Sequence, residues 1–142
     1  MNEKRDTFSA FHPVINFAFY AGAFLLGMML IHPVFLLISA VAAMAYYITV
    51  KGRKAAGFIS GMIPLFLMLS FVNPLFNTYG DRVLFTWWNG RHYTLEALCY
   101  GTALAAMVVT ILLWFASYSF VMTSDKFLYL FGRAVPSVSL VL

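Results

Sequence analysis

Long apolar runs separated by short polar breaks dominate this chain. From Thr7 to Val50 no residue carries a formal charge. A single helix over that stretch, at about 1.5 Å per residue, would be about twice as long as the roughly 30 Å hydrocarbon core of a bilayer. The stretch therefore predicts two helices. His32-Pro33 predicts the break between them, because proline removes a backbone donor and the histidine ends the apolar run.

Charges end the second helix and isolate two further apolar runs. Lys51-Gly52-Arg53-Lys54 places three cations within four residues, and one cation at the centre of a bilayer already costs about 3 kcal/mol on insertion scales. The pattern predicts an all-α integral membrane protein, one module over residues 1–142 with about four transmembrane helices. The expected spans are residues 14–31, 33–50, 55–72 and 97–122.

The polar stretch between the third and fourth spans predicts a short β-hairpin outside the membrane. Residues 73–82 are rich in turn formers and carry two charges, which favours exit from the bilayer after residue 72. Residues 83–88 are β-prone, and residues 91–94 would form the return strand. Between them, Asn89-Gly90 suits the two central positions of a tight turn, because both residues tolerate positive φ.

Two further expectations concern this loop. Trp87 and Trp88 are expected at headgroup depth, where amphipathic rings accumulate. Thr94 is expected to cap the fourth helix, and Glu96, its second residue, would lie favourably at the positive end of the helix dipole.

Composition excludes other classes of protein. Hydrophobic residues make up 63% of the chain and charged residues 10%, against roughly 45–50% and 25% in soluble domains. So few charged groups cannot coat a soluble fold, and 18% aromatic residues exclude intrinsic disorder. The single cysteine, Cys99, cannot form an internal disulfide and is expected to be a small buried hydrophobe.

The net charge of +4 is explained by membrane topology rather than by nucleic-acid binding, because no basic stripe interleaved with aromatics is present. With the N-terminus inside, seven cations face the cytoplasm: Lys4, Arg5, Lys51, Arg53, Lys54, Lys126 and Arg133. Arg82 and Arg91 face outward. The positive-inside rule therefore predicts a multi-pass plasma-membrane protein with both termini in the cytoplasm.

Candidate chemistry is sparse. His92 and Glu96 are four residues apart and could share a helix face as a metal or proton relay, but both flank a helix start. His12 and His32 each precede a proline at a predicted span end and are expected to be boundary residues. No catalytic triad, zinc motif or phosphate-binding loop is present in the sequence. We therefore expect no catalytic, cofactor-binding or metal-binding residues, while a membrane-embedded enzyme using His92 or Glu96 stays open as an alternative.

Gly57 and Gly61 form a small-xxx-small pair, with Pro64 one turn on. Such pairs let two helices approach closely. Packing within this bundle is the simpler expectation, and contact with a helix of another protein is the alternative.

Several motifs from the middle of the chain onward resemble a known family. They are Asn73-Pro74-Leu75-Phe76-Asn77, Gly80, Leu84-Phe85, Asn89-Gly90-Arg91, Thr94-Leu95-Glu96-Ala97, Tyr100-Gly101, Trp114-Phe115, residues 124–133 and Pro136-Ser137. With His12-Pro13 and the short first spans, they resemble the transmembrane T component of energy-coupling factor (ECF) transporters. This family also includes the membrane subunit of cobalt and nickel importers.

The resemblance implies a scaffold subunit of an ABC importer for vitamins or transition metals. Such a subunit joins a substrate-binding S component to cytoplasmic ABC-type ATPases, which hydrolyse the ATP. The Ala-Arg-Gly-type motifs of the family's coupling helices have no counterpart here, since Gly132-Arg133-Ala134 differs from them. We therefore expect the N-terminal part of a T component, with residues 123–142 as the start of a truncated coupling region. A small structural or assembly protein of the membrane is the alternative.

Overall fold

The computed structural model describes residues 7–88 and 90–134. In chain order the elements are α1 (Pro13–Met29), α2 (Pro33–Lys51), α3 (Ala55–Phe76), β1 (Val83–Thr86), β2 (His92–Thr94), α4 (Leu95–Val121) and α5 (Ser124–Ala134). A short 3₁₀ helix at Thr7–Ala10 precedes α1, and another at Gly52–Lys54 joins α2 to α3. The prediction of a mostly helical fold with one small hairpin is confirmed.

Helices α1 and α2 begin in the same way. The His12 side chain accepts a hydrogen bond from the Val14 N–H through Nδ1 at 3.4 Å, and His32 does the same for Val34 at 3.4 Å. Proline occupies the first position of each helix, where a missing N–H costs nothing. The two histidines are therefore N-caps. His32 lies at the break between α1 and α2, as predicted. It follows the end of α1 and caps the start of α2.

Helix α3 continues beyond its predicted end. It runs through Pro74 to Phe76, and the Asn77 N–H closes it on the Asn73 carbonyl at 2.9 Å. Residues 73–76, which belong to the polar stretch predicted between the third and fourth spans, are therefore still helical. Pro74 is buried in the bundle, so packing against the rest of the fold outweighs its weak helix propensity, and the turn begins only after Phe76.

The β-hairpin forms where it was expected, with a different turn. Strand β1 pairs antiparallel with β2, and Phe85 lies opposite Tyr93, their rings stacked at 4.6 Å. The Gly90 N–H bonds to the Trp87 carbonyl at 2.9 Å, and the Trp87 N–H bonds to the Arg91 carbonyl at 2.9 Å. Gly90 is therefore the fourth residue of a turn that begins at Trp87, not a central one. Its partner in the predicted turn, Asn89, lies outside the described residues.

Gly90 has a φ of +77°, so we expect Gly90→Val to weaken the hairpin by about 1–2 kcal/mol. The strain comes from the backbone conformation, because among the described residues no atom beyond the chain neighbours of Gly90 lies within 4 Å of a Cβ added there. Gly90→Asn is the matched control, since asparagine tolerates positive φ. Limited proteolysis of the loop should cleave the valine variant faster than wild type and the asparagine variant at nearly the wild-type rate. Equal cleavage of both variants would contradict the turn geometry.

Helix α4 is the centre of the bundle. It packs against α1, α2 and α3, whereas these three helices contact one another far less. The main cluster of buried residues contains Leu113, Trp114 and Val121 of α4 together with Tyr20 of α1 and Ala43 of α2. The core is thus arranged around a single helix.

Glycines show where helices approach most closely. A Cβ added to Gly101 of α4 would lie 2.7 Å from Asn73 Cβ and 2.9 Å from the Ser70 carbonyl oxygen of α3. By contrast, a Cβ added to Gly57 or Gly61 would have no atom of another described element within 4 Å. The close crossing of α3 and α4 is therefore at Gly101, and the expectation that Gly57 and Gly61 pack inside the bundle was wrong.

Two apolar helical stretches are long enough to cross a membrane. One is the 44-residue run Pro33–Phe76, which includes the 3₁₀ helix between α2 and α3, and the other is Leu95–Val121 with 27 residues. Helix α1 is a shorter apolar helix of 17 residues. In their most apolar windows only 11% of the first stretch and 33% of the second are buried, so most of this apolar surface faces outward.

Candidate functional site

The charged side chains lie at the two ends of the bundle. Among the side chains that the structure describes, one end, named the basic end, carries Lys51, Arg53, Lys54, Asp125 and Lys126, four cations against one anion. The other, the hairpin end, carries Asp81, Arg82, Arg91 and Glu96, two cations against two anions. Within the described residues, the helical surface between the two ends holds no charged residue. The molecule is therefore electrically asymmetric along its long axis.

Lys126 joins three elements at the basic end. Its ammonium group donates to the carbonyl of Ser9, before α1, and to the carbonyl of Val121, the last residue of α4, at 3.1 Å. A cation at a helix C-terminus is favourable because the last carbonyls of the helix carry partial negative charge. The ring of Tyr129 also meets His12 edge-on at 5.6 Å. These contacts hold α5 against the start of α1.

The other cations of the basic end differ in their surroundings. The Lys51 ammonium lies 4.1 Å from the centroid of the Phe120 ring, a cation–π contact with α4. Arg53 and Lys54 are exposed. Neither forms an ion pair with an acidic side chain in residues 7–88 and 90–134, and both are therefore available to an anion.

Thr94 is the central hydrogen-bonding residue of the hairpin end. Its hydroxyl accepts from the Ala97 N–H at 3.3 Å, which caps α4 as predicted. The same hydroxyl donates to the Tyr79 carbonyl, and the side chain is fully buried. The buried Thr94 hydroxyl thus bonds both to a backbone N–H in the first turn of α4 and to a backbone carbonyl in the loop that follows α3.

Glu96 holds the same loop from the other side. Its Oε2 accepts from the Arg82 N–H at 3.2 Å. Gly80, with φ +122°, passes so close to Glu96 that an added Cβ would lie 2.7 Å from the Cβ of Glu96. The Glu96 side chain therefore positions the loop that contains Gly80 and Arg82.

The predicted partner of Glu96 lies elsewhere. His92 is in β2, and its Nδ1 is 3.1 Å from the Thr86 hydroxyl of β1. Since His92 lies on a strand and Glu96 on a helix, the prediction that they share a helix face is wrong. In the described part of the chain, His, Cys, Asp and Glu side chains form no group of three that could hold a metal. Cys99 is exposed on α4, against the expectation that it is buried.

Tyr93 ties the hairpin to α3. It lies opposite Phe85 in the sheet, and its hydroxyl donates to the Phe71 carbonyl at 3.3 Å. Burial raises the pKa of the Tyr93 phenol, which keeps the hydroxyl protonated as a donor well above neutral pH. Sequence patterns identify the strand but carry no signal for this contact, which joins residues 22 positions apart.

A buried aromatic centre lies between the two ends. Trp114 of α4 stacks on Tyr46 of α2 and meets Tyr20 of α1 edge-on, each at 6.2 Å between ring centroids. Its indole N–H donates to the Ser39 hydroxyl at 3.2 Å. Nearby in α1, Asn16 is fully buried and donates to the Phe11 carbonyl at 3.4 Å. The indole N–H of Trp114 and the amide N–H of Asn16 therefore bind partners within the fold, whereas the buried Asn16 Oδ1 accepts no hydrogen bond from the described residues.

Thr94→Val is expected to destabilise the hairpin end by about 1–3 kcal/mol. Valine preserves the shape of the side chain but removes the cap and leaves the Ala97 N–H and Tyr79 carbonyl without their buried partner. Thr94→Ser, which retains the hydroxyl, is the matched control. Hydrogen exchange at the first turn of α4 should rise in the valine variant only. Equal protection in both variants would mean that the hydroxyl is not the element that holds this end together.

Comparisons of the chain with protein-family models, with curated proteins and with solved structures found no match.

Proposed function

We propose that this chain is an integral membrane protein that crosses the bilayer four times, through α1, α2, α3 and α4. The supporting observation is the outward apolar surface. A core helix of a soluble protein is mostly buried, whereas the most apolar windows here are 11% and 33% buried. In water so large an apolar surface would aggregate, and in a bilayer it is solvated by lipid. The 44-residue run also exceeds the 7–15 apolar residues of a signal peptide.

In this proposal the basic end faces the cytoplasm. Cations are enriched on the cytoplasmic side of membrane proteins, and the basic end has the excess of positive charge. The hairpin then lies on the outer side. Trp87 is 41% exposed and Trp88 97% exposed, so both rings are accessible to the interfacial region, where tryptophan is favoured.

Cysteine labelling tests this topology. In a background without Cys99, a single cysteine replacing Asp81 at the hairpin end should react with an impermeant thiol reagent added outside intact cells. A single cysteine replacing Lys54 should react only after the membrane is opened. The reverse pattern would overturn the orientation, and release of the chain from membranes by alkaline carbonate would overturn insertion itself.

We infer, beyond insertion, that the chain acts as the scaffold, or T component, of an ECF-type ABC importer for a vitamin or a transition metal. Support comes from where the residues that carry the resemblance lie. Asn73 and Gly101 meet at the crossing of α3 and α4, and Gly80 meets Glu96 beside Thr94. Motif residues far apart in sequence thus contact one another at the hairpin end and at the crossing of α3 and α4.

In the proposed scaffold role, substrate binding and ATP hydrolysis are carried out by the partner subunits. The S component would select the substrate, and the ABC-type ATPases would hydrolyse ATP at the cytoplasmic basic end. The exposed apolar faces of α1 and α2 offer the S component a surface within the bilayer. Among the exposed residues are Leu25, Leu26 and Met29 of α1, and Leu37, Ile38 and Val41 of α2.

Co-purification is the decisive test. The chain, with an affinity tag, should be co-expressed with an S component and an ATPase pair encoded beside it, and isolated in mild detergent. The proposal predicts near-equal recovery of the subunits and loss of recovery when an unrelated four-span protein carries the tag. A chain that inserts stably yet captures none of these subunits would instead favour a structural or assembly protein of the membrane.

A further inference from the structure

A groove between α2 and α3 opens at the basic end. Its volume is about 390 Å³. Aliphatic side chains line most of it, and one guanidinium group lies at its mouth. The principal residues are Met44 and Ile48 of α2, Ala56, Ile59 and Ile63 of α3, and Arg53 between the two helices.

The length of the groove matches one leaflet of a bilayer. From Arg53 to Ile63 the chain is helical, and at about 1.5 Å per residue this distance is about 15 Å. The hydrocarbon core is about 30 Å thick, so the groove would extend from headgroup depth to the midplane. An acyl chain of one leaflet spans the same depth, and small side chains such as Ala56 leave room for it in the groove.

The charge at the mouth selects the headgroup. Arg53 and the adjacent Lys54 are exposed and form no ion pair with acidic side chains in the part of the chain that the structure describes. Lys51, by contrast, is directed toward Phe120 of α4. A guanidinium group presents paired donors that match the oxygens of a phosphate. Every phospholipid carries such a phosphate, but only a headgroup with net negative charge also neutralises the two exposed cations, so an anionic lipid suits both the charged mouth and the apolar groove.

We propose that this groove binds an anionic phospholipid of the cytoplasmic leaflet, with one acyl chain between α2 and α3 and the phosphate on Arg53. The inference rests on the proposed membrane insertion and orientation. It does not depend on the transport role. The lipid would fill the space between two helices that contact each other little.

Native mass spectrometry of the full chain in neutral detergent tests the proposal. Dioleoyl phosphatidylglycerol should bind more tightly than dioleoyl phosphatidylcholine, which has the same chains without net charge. A cation near the membrane surface contributes about 1 kcal/mol toward an anionic lipid. Arg53→Gln should therefore weaken phosphatidylglycerol binding roughly fivefold. Arg82→Gln, which removes one cation at the hairpin end, should leave it unchanged.

A second pair of variants tests the groove itself. Ala56→Leu should block binding while preserving every charge, and Ala42→Leu, an exposed alanine of α2 outside the groove, should not. Equal binding of the two lipids, or equal loss in the Arg53 and Arg82 variants, would overturn the proposal. Competition by soluble glycerol phosphate as strong as that by the lipid would mean a free-anion site, and a groove-mediated dimer in place of lipid adducts would mean a second copy. Either would also overturn it.

The two proposals fail in different ways. Extraction of the chain by alkaline carbonate removes the basis of both. A chain that stays in the membrane and binds phosphatidylglycerol through Arg53, but captures no ATPase or S component, retains the lipid site and loses the T-component function.

Discussion

Trp114→Ala is expected to lower the free energy of unfolding by about 3–5 kcal/mol. The side chain is 7% exposed and lies where α1, α2 and α4 meet. Its removal leaves a cavity inside the bundle that lipid or detergent cannot fill, and it also leaves the Ser39 hydroxyl without the indole donor. Titration of the purified protein with a denaturing detergent, followed by far-ultraviolet circular dichroism, measures the loss.

The next residue along the chain provides the control. Phe115 is 55% exposed, so Phe115→Ala removes an aromatic ring without opening an internal cavity, and its cost should be about 1 kcal/mol. Trp114→Phe should fall between the two, because it retains a ring and loses the hydrogen bond. A similar loss for Trp114→Ala and Phe115→Ala would show that the aromatic centre is not the core of the bundle.

Gly101→Ala is expected to destabilise the protein by about 1–3 kcal/mol, although alanine is the better helix former. The added Cβ would lie 2.9 Å from the Ser70 carbonyl oxygen and 2.7 Å from Asn73 Cβ. Both atoms belong to or adjoin the backbone of α3, so they cannot rotate away and α3 and α4 must separate.

The same substitution at Gly61 should have the opposite effect on the free energy of unfolding. In the described part of the chain, no atom of a neighbouring helix lies within 4 Å of the added Cβ, so Gly61→Ala should raise stability by up to about 1 kcal/mol through helix propensity alone. The unfolding titration used for the Trp114 variants measures both. Stabilisation by Gly101→Ala would contradict the close crossing of α3 and α4.

Local signals in the sequence predict much of this fold. Proline after His32, glycine in the hairpin turn and threonine before Leu95 each act on their own few residues, so their effects can be inferred without knowledge of the rest of the chain. The four long helices likewise occupy the four apolar runs, because an α-helix pairs its backbone N–H and C=O groups by hydrogen bonds within the same segment.

What the sequence does not predict depends on contacts between distant segments. Pro74 is a helix breaker in isolation, yet it lies inside α3 because the bundle buries it. Gly57 and Gly61 have the spacing of a packing motif, but the close crossing lies at Gly101, which has the same spacing with Ala97 and Ala105. Lys126 reaches a carbonyl 117 residues away. No sequence pattern within a single helix or strand predicts these contacts. The candidate lipid groove cannot be predicted from the sequence either, because it depends on how α2 and α3 lie relative to each other.

The central position of α4 has a consequence for biosynthesis. Helices α1, α2 and α3 make most of their contacts with α4 rather than with one another, yet α4 is the last of the four to leave the ribosome. At about 5–20 residues per second, the 45 residues between Phe76 and Val121 take roughly 2–9 seconds to translate. During that interval the three earlier helices lack their common packing partner, and, with the proposed insertion, a chaperone or protease of the membrane has its best opportunity to act on the nascent chain.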